Sequence, residues 1–186
     1  MKGTLYHIVR DREINVGDEI VAGEGYNHFA KRLFSADFQV EGVDINKLIF
    51  TKALNHFTER EGKMTRGYIY ESCAIIRELI LENYRLMHCP HLPSRLKCLY
   101  ACQTLEQAKS WIPALERMAK SKSSVKIVEL SVDGEIFSGD GDLMTRSTHA
   151  VFDKFDLAKR YWSGARAKNE ILFVGRAKVV RIIDEK

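Results

Sequence analysis

A sustained apolar stripe in the middle of the chain constrains the fold more than any other feature. Ile69, Cys73, Ile76, Ile80, Tyr84 and Met87 recur at spacings of 4, 3, 4, 4 and 3, the period of one helix face. The spacing predicts an α-helix with this stripe turned inward. Glu78, Glu82 and Arg85 fall mostly off the stripe and are expected on its solvated side. Upstream, Asp44 suits the N-cap of a helix carrying Ile45, Ile49, Ala53 and Phe57, which Gly62 is expected to stop. A helical block over about 44–90 results.

Both flanks of that block read as β. Leu5-Tyr6-His7-Ile8-Val9 is a short strand with Leu5, His7 and Val9 on one face. Residues 10–35 are turn-rich, with one short strand around Glu19 to Ala22. Beyond Pro90 and Pro93, Leu96 to Cys102 reads as a strand ending at Thr104. Thr104-Leu105-Glu106-Gln107 then fits a capping box, opening a helix that Pro113 should kink and that runs to about Lys120. Ser124 to Val132 is a strand that Gly134 turns, so that Glu135 to Phe137 pairs back. Residues 138–168 read as polar and loop-like, with a short helix near Asp156 to Trp162. Glu170 to Val174 and Lys178 to Ile183 are two β runs around Gly175. Fold class is therefore α+β.

At 186 residues the chain suits one domain, and its net charge of +4 is too scattered to mark a charge-driven partner. The longest apolar runs fall far short of the roughly 18 residues a membrane span needs. With no apolar leader segment, a cytoplasmic protein with reduced cysteines is expected.

The group His88, Cys89, His91, Cys98 and Cys102 invites a zinc reading. On a strand, Cys98 and Cys102 would stand about 13 Å apart at roughly 3.3 Å per residue, whereas ligands of one tetrahedral zinc lie within about 4 Å of each other. No metal is therefore expected. Gly23-Glu24-Gly25-Tyr26 lacks the third glycine of a dinucleotide-binding turn. Gly139-Asp140-Gly141-Asp142 matches only the first residues of a calcium loop and reads as a polar turn. No Gly-x-Ser-x-Gly elbow occurs. An ordered set remains: His7 in the first strand, Tyr100 in a middle strand before a capped helix, and Glu170 opening a late strand.

In that order the sequence resembles ADP-ribosyltransferases of the His–Tyr–Glu type. Tyr6-His7, Val16-Gly17-Asp18-Glu19-Ile20 with Gly25-Tyr26, Leu99 to Ala108, and Val125 to Leu130 resemble segments of the rifampin ADP-ribosyltransferases. Asn169-Glu170-Ile171-Leu172-Phe173-Val174 is similar to the Asn-Glu strand start of the poly(ADP-ribose) polymerases. The resemblance implies one ADP-ribosyltransferase-like domain over 1–186, with a split β-sheet core and the 44–90 block inserted. It further implies a bacterial transferase that cleaves the nicotinamide–ribose bond of NAD and passes ADP-ribose to an unknown acceptor, without a metal.

By the same resemblance, Glu170 stabilises the oxocarbenium-like state, with Asp140 as the competing acid. Tyr100 would stack on nicotinamide and His7 would bind the adenosine-side ribose. Arg10, close to His7, is the candidate for the pyrophosphate. One departure is plain: Ile8-Val9 stands where those families carry Gly-Thr or Gly-Ser. It favours the alternative, a module on this fold that has lost turnover. Nucleic-acid engagement would draw on Lys120, Lys122 and Lys126 with Arg95 and Lys97, although a solvated face explains those residues equally well.

Overall fold

A computed structural model describes residues 2–35, 39–116, 125–144, 151–164 and 169–183. Along the chain run β1 (Lys2–Arg10), β2 (Glu19–Ala22), α1 (His28–Phe34), β3 (Gln39–Val40), β4 (Val43–Asp44) and α2 (Ile45–Thr51). Then come a 3₁₀ turn (Leu54–His56), α3 (Glu59–His88), β5 (Leu99–Ala101) and α4 (Leu105–Glu116). Finally β6 (Val125–Asp140), a 3₁₀ turn (Gly141–Leu143), α5 (Val151–Trp162) and β7 (Asn169–Ile183) complete it. The fold is α+β with an antiparallel main sheet in the order β1-β6-β7-β2, β5 also pairing with β7. No helix among the described residues is long and apolar enough to cross a membrane.

Alternation along the strands builds the core. In β1, Leu5 and Val9 are buried on the face that His7 shares. In β7, Ile171 and Phe173 join the cluster formed with Val128, Leu130 and Val132 of β6. Leu172 turns to the opposite cluster with Leu81 of α3 and Tyr161 and Trp162 of α5. Sheet faces thus carry two apolar layers, as period-2 patterning requires. Two backbone hydrogen bonds tie Tyr6 to Cys102, at 2.9 and 2.7 Å, so β1 meets the end of β5.

Gly134 does not turn the chain, and Gly175 does not divide two runs. β6 and β7 are continuous and place the two glycines opposite each other. The supposed hairpin is a crossing point: a Cβ on Gly134 would stand 2.1 Å from the Val174 carbonyl oxygen. Gly62 does not end a helix either. Thr58 and Glu61 form a capping box that starts α3, so Gly62 falls within its first turns. By contrast, Thr104 and Gln107 cap α4 reciprocally as the sequence predicts, and Pro113 lies inside that helix; its continuation toward Lys120 lies outside the described residues.

α3 turns a different face inward from the one its stripe predicts. Of the stripe, Ile80 is buried and Tyr84 packs against the same core cluster, but Ile69, Ile76 and Met87 are exposed. Ala74, Arg77, Glu78, Leu81 and Arg85, outside the stripe, are buried. The helix is where the stripe predicts it, but rotated so that the Ile80 and Tyr84 part of the stripe stays on the core side while Ile69, Ile76 and Met87 do not. Small Ala74 permits close packing, and the buried charges find partners on other elements. Arg85 donates to the carbonyls of Pro90 and Leu92 at 2.9 and 3.1 Å, fixing the chain that leaves α3. Elsewhere strand Leu96–Cys102 shrinks to β5, and the short helix near Asp156 lengthens to α5. Cys98 and Cys102 sit in different core clusters.

Candidate functional site

Because Tyr6 is bridged to Cys102, the next residue in β1 comes to lie beside β5. His7 Nδ1–H donates to the Tyr100 carbonyl at 2.7 Å, across 93 residues of sequence. Arg12 donates from Nη2 to His7 Nε2 at 2.8 Å. These partners assign the neutral Nδ1–H tautomer. Burial, helped by the Arg12 charge and opposed by the Tyr100 carbonyl, pushes the imidazole down to about 4.

That shift has a sign. The folded value lies below the ordinary 6.5, so the unfolded chain binds more protons between about 4 and 6.5. The contribution of His7 to stability is complete above that window and is lost as pH falls through it. NMR titration should show the His7 ring titrating near pH 4, and a midpoint near 6.5 would contradict the geometry.

His7 and Tyr100 open onto a cleft of about 620 Å³, which Glu170 also lines. Three strands deliver them: His7 from β1, Tyr100 from β5 and Glu170 from the start of β7. The Tyr100 hydroxyl donates to the Arg95 carbonyl at 2.8 Å, and Phe29 meets its ring edge-on at 5.9 Å. Asn27, the N-cap of α1, donates to the carbonyls of Arg95 and Cys98, so the rim of the cleft is pinned to the segment leading into β5.

A buried ionic network lies behind Glu170. Arg95, only 3% exposed, donates from Nη1 to Glu170 Oε2 and from Nε to Glu78 Oε2 at 2.9 Å. Arg77 donates to Glu78 Oε1 at 2.6 and 3.1 Å and to the Met144 carbonyl at 2.7 Å. Tyr161 donates to Glu170 Oε2 at 2.7 Å. Two guanidinium groups thus face two carboxylates. The Arg95 guanidinium also lies over the rings of Tyr100 and Tyr161, at 5.2 and 4.8 Å.

Burial alone would push the Glu78 carboxyl up, but Arg95 and Arg77 outweigh it and hold the carboxyl below its ordinary value. Burial pushes the phenols of Tyr100 and Tyr161 well up, against the Arg95 charge, and keeps both as donors.

The proposed site residues separate into two groups. His7, Tyr100, Glu170 and Arg10 line the one cleft, with Arg10 ion-paired to Asp11 at 3.5 Å. Asp140 does not line it. That carboxylate is 4% exposed and accepts the Asp142 N–H at 3.0 Å, capping the turn after β6; its neighbour Gly141 reaches the cleft instead. The polar turn expected at 139–142 is therefore a strand end followed by a 3₁₀ turn. Of the proposed basic face, Arg95 is buried and committed to carboxylates, Lys97 and Lys126 are exposed, and Lys120 and Lys122 lie outside the described residues.

Sequence reasoning missed Arg12, Glu78 and Tyr161 and misplaced Arg95. One signal was present. Arg77-Glu78 is an opposite-charge pair embedded between Ile75-Ile76 and Leu79-Ile80, and charges within an apolar run are seldom tolerated unless paired.

The arrangement offers a carboxylate with one oxygen held and the other unpaired among the described residues, an aromatic ring, a neutral imidazole and several cations at one cleft. No curated protein matches the sequence. A family model described as a protein of unknown function, DUF2441, matches residues 5–185, and the chain belongs to that family.

Proposed function

We propose that the protein is an NAD-dependent mono-ADP-ribosyltransferase built on an ADP-ribosyltransferase-like core, with α2 and α3 inserted. The observation that carries this reading is the convergence of His7, Tyr100 and Glu170, from three strands, on one cleft of about 620 Å³. The bond between nicotinamide N1 and ribose C1′ breaks, and its electron pair leaves with neutral nicotinamide. Glu170 Oε1 faces the positive charge that develops on the ribose. A nucleophilic atom of the acceptor then bonds to C1′ and releases its proton.

The Tyr100 ring, fixed by its hydroxyl and by Phe29, offers a face to the nicotinamide. His7 Nε2 can accept from a ribose hydroxyl once Arg12 gives up its bond, which frees Arg12, alongside Arg10, for the pyrophosphate.

The test is release of nicotinamide and transfer of labelled ADP-ribose by the pure protein. Both should exceed those of a Glu170→Ala plus Asp140→Ala control, and equality with that control ends the enzymatic reading. A second reading, a binding module without turnover, is favoured by Ile8-Val9 in place of glycine and by the Arg12 cover on His7. Calorimetric NAD binding without nicotinamide release would select it.

A further inference from the structure

Resting on the ADP-ribosyl transfer proposed above, we infer that Tyr161 and Arg95 are positioning residues, which lock Glu170 Oε2 and direct Oε1 to the reacting ribose. Both donors converge on the same oxygen. An ion pair serving stability alone gains most when a guanidinium binds a carboxylate through both oxygens. Here Arg95 spends its other contacts on Glu78 and on the Tyr161 hydroxyl, which it approaches at 2.6 Å. Oε1 has no partner among the described residues, and Glu170 lines the cleft.

The sheet makes room for this clamp. Gly139 stands opposite Glu170 in the β6–β7 ladder. A Cβ on Gly139 would come within 2.4 Å of the Tyr161 ring, so the missing side chain is the slot that ring fills. Tyr161 is fully buried there, packed at 5.1 Å against Trp162, whose Nε1–H donates to the Leu81 carbonyl at 2.8 Å. The phenol therefore approaches Glu170 from a rigid support on α5 and α3. Glu78 holds Arg95 from the far side, so the clamp has a backing as well as a grip.

Tyr161→Phe removes the two hydrogen bonds of that hydroxyl, the one it donates to Glu170 and the one it accepts from Arg95, without changing charge or ring packing. Its expected effect is a fall in kcat for nicotinamide release of about 10²-fold, the scale set by misplacing a reacting group. The KM for NAD should stay near that of the wild type, while the melting temperature falls by the several degrees expected for lost buried hydrogen bonds to charged groups. Arg95→Lys, which keeps the cation, should retain more activity than Arg95→Gln. An unchanged kcat in Tyr161→Phe, or a loss matched by a rise in KM, overturns the inference while leaving the transferase reading in place. A wild-type protein that leaves NAD intact overturns both.

Discussion

Glu78→Ala is expected to destabilise the protein by about 3–5 kcal/mol, the range for removing one partner of a buried ion pair. Its carboxylate is fully buried and engages Arg77 and Arg95 together. Without it both guanidinium groups stay in the interior with a single carboxylate, Glu170, to answer them. A typical domain has only about 5–15 kcal/mol to lose, so urea unfolding should show a large drop in midpoint. Glu129→Ala serves as the contrast. It removes a bridge to Arg181, whose side chain is 62% exposed, and surface pairs contribute at most about 1 kcal/mol. Equal, small losses in both variants would mean that water reaches the network.

Gly175→Ala should be comparably damaging, for a different reason. Gly175 has φ of +140°, and a Cβ there would sit 2.4 Å from the Asp133 carbonyl oxygen. The strained backbone accounts for about 1–3 kcal/mol, and the overlap for a similar amount. Gly134→Ala suffers the overlap without the positive φ and should lose less. Stability of the two variants by urea titration decides it; a neutral Gly175→Ala would mean that the strands separate there at little cost.

These two variants also show where sequence reasoning succeeds and where it stops. The helix through Ile69 to Met87 was legible because periodicity depends only on neighbouring residues. Its orientation was not, because α3 has apolar side chains all round and Arg77, Glu78 and Arg85 find their partners far along the chain. Gly134 and Gly175 read as turns because a glycine in a β run marks either a turn or a close backbone approach. Only the ladder between β6 and β7 distinguishes the two.

Around the cleft, the three strand residues His7, Tyr100 and Glu170 could be picked out through their order and their flanking motifs. Tyr161 could not, since a tyrosine on an amphipathic helix is indistinguishable from ordinary core until Gly139 is placed beside it. Arg95 sits in the short stretch between α3 and β5, and nothing local separates it from a surface arginine.

The strand pairing has a consequence for the order in which the chain can assemble. β1 is made well before its ladder partner, residues 125–133 of β6. β2 and β5 find their ladder partner only in β7, Asn169–Ile183. During synthesis α3 can form as soon as it appears, since its bonds are local, but the sheet waits for β7. Folding dominated by such distant pairings is slow, and the early apolar strands remain unpaired meanwhile, open to aggregation. The cleft is therefore among the last features to exist, since Glu170 arrives on the strand that completes the sheet.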